Sequence, residues 1–368
     1  MQRAVCPNPA LSARVNAVSA ATRNVLPSPG ARAGLDDGAR RIRDGVRACS
    51  RAWRQRYPVL EQWQSAIGLA LQLFALFGMT GCALLYARGI LGAVVVVPLA
   101  AFFASVAHEI EHDLIHKCYF PTRRRVADAM LAIGWLMRPS TINPWIRRRL
   151  HLEHHRISGT AGDVEERAIT NGMPMGVRRI AVMIDGLFAG SLLRPVPAGQ
   201  RRRTIVRTFA AYFPLGLLHY GIFYLWVVVH GFLGLASVVG HVVHVPGWMS
   251  GVDFLFVVCV APNVLRTFAL HFVSSNLHYY GDIAVGDVLR QVQVLDRGVF
   301  LPLQIFCANF GSTHAIHHFY VPDPFYMRQL TAPVAHRLMR EEGVRFNDVA
   351  AIGRANRYGA WGPEEVGA

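Results

Sequence analysis

The longest apolar stretch of the chain covers residues 67–107 and is interrupted only near Arg88. That is too long for one membrane crossing of about 20 residues and fits two. It predicts a helical pair over roughly 65–86 and 89–107. Two further apolar runs predict spans over about 209–229 and 252–270. Shorter apolar stretches at 126–137 and 180–193 fall below spanning length and read as helices lying in the membrane interface. Asn143-Pro144 marks a break between elements. The fold class that follows is all-α: an integral membrane protein of about four transmembrane helices with a cytoplasmic helical cap.

Composition agrees. The 368 residues are 52% hydrophobic and only 17% charged, below the roughly 25% usual for soluble proteins. The net charge is +15, and Lys117 is the only lysine. This arginine bias fits a bacterial, GC-rich source. The charge is placed for a membrane surface, not for nucleic acid. Arg123, Arg124 and Arg125 follow the second span and Arg201, Arg202 and Arg203 precede the third, while residues 231–251 carry no Lys or Arg. That asymmetry puts both termini on the cytoplasmic side of an inner membrane, with acidic lipid headgroups as partners. The six cysteines form no C-x-x-C pair and predict no disulfide framework.

Residues 1–62, rich in Ala and Arg, read as a poorly ordered extension, although an organelle transit peptide has a similar look. Residues 63–340 read as the folded domain and 341–368 as a loosely ordered tail.

Histidine carries the chemistry. His108, His112 and His116 lie in H-E-I-E-H-D-L-I-H, His151, His154 and His155 in H-L-E-H-H, and His314, His317 and His318 in H-A-I-H-H. Each set repeats at three or four residues, the spacing of one helix face. Neutral imidazole is the commonest ligand for iron, zinc and copper. Nine imidazoles exceed the needs of one ion, so the pattern points to two metals, or to one with spectators. All three clusters fall on the predicted cytoplasmic side, at the membrane boundary. Glu109, Glu111, Asp113 and Glu153 are candidates to accept hydrogen bonds from ligand rings. A fourth element, H-F-V-S-S-N-L-H-Y-Y-G-D, offers His271 or His278 to complete the shell, with His278 preferred, and Asn276 to hold a metal-bound water. His219, His230, His241 and His244 read as structural or interfacial. Asn143, Trp145, Arg147, Arg148 and Arg149 precede the second cluster and are candidates for an anionic head group.

In order, sidedness and spacing these clusters resemble the histidine boxes of the membrane fatty acid desaturase superfamily, over about residues 63–340. The resemblance implies a non-haem centre of two iron ions bound by His108, His112, His116, His151, His154, His155, His314, His317 and His318, with His271 or His278 added. It implies an O2-dependent desaturase acting on an acyl-lipid or acyl-thioester. Its electrons would come from a separate ferredoxin, rubredoxin or cytochrome, since no such module is fused here. The stretch N-L-H-Y-Y-G at 276–281 also resembles the alkane monooxygenases. A hydroxylase acting on alkane, fatty acyl or carotenoid chains is therefore the alternative. Two rivals remain: H-E-I-E-H also fits a zinc protease with Glu109 as base, and the many histidines would suit a metal or haem carrier.

Overall fold

The structure is a computed structural model and describes residues 29–197 and 199–359. It is helical throughout, with only isolated bridges between His278 and Val292 and between Val294 and Phe346. Among the described residues four helices are long and apolar enough to cross a membrane, as expected for an integral membrane protein: α2 (Gln64–Ala87), α3 (Ala93–Ile115), α10 (Leu215–Val238) and α11 (Met249–Leu277). α2 and α3 pack closely because small residues let them approach: a Cβ on Gly78 would run into the ring of Phe103. α11 contains one π-helical turn, Phe256–Val260. The third span begins later than residue 209 because Pro214 separates it from the basic helix α9 (Arg201–Tyr212).

Both interfacial stretches are helical. The first is α4 (Arg124–Met137). The second is broken into α7 (Val177–Ile184) and α8 (Phe188–Leu192). The break follows from Asp185, whose Oδ1 accepts from the backbone N–H of Leu187 at 2.8 Å and of Phe188 at 3.0 Å. Between them lie α5 (Pro144–Ile157) and α6 (Val164–Ile169). After the fourth span come α12 (Phe310–Phe319) and α13 (Phe325–Glu341).

The chain ends depart from expectation. Residues 29–56 form a helix, α1 (Pro29–Arg56), although the extension was expected to lack order. Ile42 and Val46 are fully buried on one face of α1, in the same cluster as Ala335 and Met339 of α13. Arg41 pairs with Glu342 at 2.5 Å. A four-residue apolar repeat was hidden by the arginines around it. The tail also packs: Val344, Ala351 and Ala355 are buried, and Tyr279 donates to Asp348 at 2.8 Å. The expected disorder of residues 1–28 and 360–368 falls outside the described residues.

Candidate metal centre

Three helices and the residue that follows a fourth deliver the histidines. α3 runs without a break from the membrane into the first cluster, and every residue of 104–115 is buried. α5 starts where Asn143 Oδ1 accepts the Trp145 N–H at 3.0 Å and Pro144 takes the first turn. It presents His151, His154 and His155. α12 presents the third cluster, and His278 follows the end of α11.

The rings converge as two groups: His112, His116, His151, His155 and His317 in one, and His154, His278, His314 and His318 in the other. In each group one ring nitrogen per residue lies within 4.8 Å of all the others. Helix geometry explains the sorting. Adjacent residues diverge by about 100°, so each doubled histidine is split: His155 and His317 join one group, His154 and His318 the other. Residues four apart stay together, as His151 with His155 and His314 with His318.

Within the first group, His116 Nε2 lies 2.9 Å from His151 Nε2 and 3.0 Å from His317 Nε2. His155 Nε2 lies 3.2 Å from His151 Nε2 and 3.1 Å from His317 Nε2. In the second, His318 Nε2 is 3.2 Å from His278 Nε2 and 3.3 Å from His314 Nε2. A neutral imidazole nitrogen either donates or accepts, so such a ring of contacts cannot be satisfied by mutual hydrogen bonds. Nitrogens bound at about 2.1 Å to one ion stand roughly 3.0–3.4 Å apart at right-angle or tetrahedral geometry. The spacings fit that. Both ring nitrogens of His112, Nε2 of His154 and Nδ1 of His314 are buried and have no hydrogen-bond partner among the described residues. The residues therefore suit a metal ion in each group.

Outer groups orient the rings. His154 Nδ1 pairs with Asp163 Oδ2 at 2.6 Å and His151 Nδ1 with Glu165 Oε2 at 3.0 Å. His278 Nδ1 donates to the Ser274 carbonyl at 2.9 Å, with Glu166 Oε1 at 3.4 Å. The Gln291 amide lies 3.0 Å from His318 Nδ1. Each contact engages one nitrogen and turns the other inward. Burial holds the His116 ring neutral, down to about 2, and the His278 ring down to about 3. Burial would lower His154 too, but the Asp163, Glu166 and Glu165 carboxylates overcome it and push it up to about 9.

Sequence reasoning missed these partners. Asp163, Glu165 and Glu166 lie on the next helix, α6, which Asp163 caps by accepting the Glu166 N–H at 3.3 Å. The run D-V-E-E carried that capping signal. The acids singled out from the sequence fare differently. Glu109 pairs with Arg328 at 2.7 Å, and Glu111 pairs with Arg138 and, at 2.6 Å, with Arg147. Asp113 accepts from Tyr119 at 2.9 Å and from the Phe325 N–H at 2.8 Å, and stands 3.6 Å from His112 Nδ1. Glu153 stays at the surface, bonded to Arg156 at 3.0 Å. Asn276 Oδ1 accepts from Arg179 and Asn356, both at 3.1 Å, and its Nδ2 donates to Phe272 at 2.8 Å. These bonds tie its amide into the fold.

His108 and His271 stand outside both groups. His108 Nδ1 is 3.2 Å from Arg138. This undoes the zinc-protease reading, which needs His108 beside His112 and an unpaired Glu109. Arg147 is likewise turned inward onto Glu111 rather than toward a head group. A cavity of about 130 Å³ borders both groups and reaches His271, Arg266 and Ser140.

Residues 88–350 match the sequence model of the fatty acid desaturase family, well over half of the chain. No curated protein matches.

Proposed function

The chain belongs to the fatty acid desaturase family, a family of oxidoreductases, and from that premise we propose that it is an O2-dependent desaturase of fatty acyl chains. The observation that carries this reading is the sorting of nine imidazoles into a group of five and a group of four. We assign His112, His116, His151, His155 and His317 to one iron and His154, His278, His314 and His318 to the other. Two irons held there would supply oxygen activation, with electrons from the separate donor, for attack on an unactivated C–H bond.

The chain's own residues do the rest. Asp163 and Glu165 engage Nδ1 of His154 and His151, which would leave each Nε2 lone pair free to bind a metal. Burial excludes water and favours the neutral ring, the form that binds metal, while His154, held up by Asp163 and its neighbours, binds by releasing its proton. Arg328, Arg138 and Arg147 neutralise Glu109 and Glu111 beside the first cluster. The family points to a lipid substrate. Acyl-lipid and acyl-thioester forms leave a polar head at the membrane surface while the chain enters among the helices. A separate ferredoxin, rubredoxin or cytochrome is the electron donor in this reading. The site faces the cytoplasm of a bacterial inner membrane.

The test is expression in a host lacking the activity, with lipid mass spectrometry in the presence and absence of O2. New O2-dependent double bonds, together with two irons per chain in the purified protein, are expected. Hydroxylated products would select the hydroxylase reading. Stoichiometric zinc without iron would overturn both.

A further inference from the structure

Arg266 sits on α11 within the membrane-crossing part of the protein, yet it is 1% exposed. Its Nη2 donates to Thr267 Oγ1 at 2.7 Å and to Ser140 Oγ at 3.3 Å. Its Nε and Nη1 have no hydrogen-bond partner among the described residues. A buried guanidinium whose bonds go only to neutral hydroxyls is costly, because desolvation is not offset by an opposite charge. The nearby acids are already engaged: Glu111 by Arg138 and Arg147, and Glu109 and Asp113 by Arg328. Among the described residues no carboxylate stands within ion-pair distance of Arg266.

Another group shares this region: His271 lines the cavity beside Arg266. The cavity is continuous from Arg266 to the metal groups. Arg266, Leu270, Ser274 and His278 all border it, at the four-residue interval of one helix face. Along that face Arg266 and His278 are separated by a rise of about 18 Å. His108, one turn of α3 before His112, lines the same cavity and is contacted by the arginines that hold Glu111. A plain hydrocarbon segment would strand the Nε–H and Nη1–H groups of Arg266. An anionic oxygen would satisfy them.

We infer that Arg266, with the hydroxyls of Ser140 and Thr267 beside it, receives a carboxylate carried by the substrate within the cavity that borders the histidine groups. The substrate is then a free acid rather than an ester. This rests on the reading that the histidine groups oxidise an acyl substrate, and it replaces the esterified head with a carboxylate. A charge-assisted bond to a carboxylate is stronger than one to a neutral ester and selects for the charged form in a dry site.

The test compares octanoate with methyl octanoate by isothermal titration calorimetry on the iron-loaded, detergent-solubilised protein, with empty micelles as the blank. Octanoate is expected to bind at least about tenfold more tightly than the ester. Arg266→Met is expected to remove that preference, weakening octanoate about tenfold while leaving the ester and the iron content unchanged. Arg266→Lys should keep part of it. Equal affinity for acid and ester in the wild type would overturn the inference without any variant, as would unchanged octanoate binding in a folded Arg266→Met. Octanoate binding without oxidation of any acyl substrate would sink the desaturase reading and leave this site standing. Oxidation of esters with no preference for the acid would do the reverse.

Discussion

His108 and His112 lie one turn apart on the same helix, yet what surrounds them differs. His112 meets four other imidazoles, whereas the ring of His108 meets the guanidinium groups of Arg138 and Arg147. Two cations beside a ring disfavour a third. His108→Ala is therefore expected to keep close to the full metal content, and His112→Ala to lose about half or more, because the first group loses a ligand that nothing replaces. Metal analysis of the two purified variants checks this; equal losses would refute it. Asp163→Asn should lower metal affinity about 10–100-fold, as removal of a ring-orienting carboxylate does elsewhere, measured by competition with a chelator. The histidines themselves were legible because helix periodicity is written into the spacing of each box. Their number pointed to two metals, or to one with spectators; that the doubled histidines divide between two groups emerged only from the fold. The orienting acids were not legible in the same way. Acids adjacent in sequence, such as Glu153, point elsewhere, while Asp163 reaches His154 from nine residues on through a turn that only the fold creates.

At the scale of elements, the four spans were legible from apolar length alone, since a lipid-facing helix must be apolar along its whole extent. α1 was not, because its buried face is only a narrow stripe through Ile42, Val46 and Ser50 in an arginine-rich background. The same physics gives α1 a job. Ser50 donates to Asp323 at 2.7 Å and Arg54 pairs with Asp323 at 3.0 Å, just before α13. α13 in turn carries Arg328, whose Nη1 lies 3.4 Å from His317 Nδ1 and whose Nη2 bonds Glu109. α1 thus braces the wall of the first histidine group. Ile42→Ala, which removes a fully buried side chain, should cost about 2–5 kcal/mol of stability. It should appear as a lower apparent Tm in detergent, with the metal content of the protein that remains folded unchanged. An unchanged Tm would show that α1 does not brace the fold.

Over the whole molecule, the histidines come from α3, α5, α12 and the end of α11, segments far apart in the chain. Metal ions at the two groups would cross-link them, so removal by a chelator should lower the apparent Tm, and reloading with ferrous iron should restore it. The larger question is which side of the membrane these segments face. The arginines of 123–125 and 201–203 lie at the ends of the spans nearest the histidine groups, and 231–251, at the far ends, has none. The positive-inside asymmetry therefore predicts that Val242, fully exposed in the loop between α10 and α11, lies outside the cytoplasm. Arg156, exposed beside the second box, should lie within it. Val242→Cys should react with a membrane-impermeant maleimide in intact cells, above the background set by the native cysteines. Arg156→Cys should react only after permeabilisation. The opposite pattern would put the histidine groups outside, away from any cytoplasmic reductant, and with it would fall the supply of electrons that a desaturase requires.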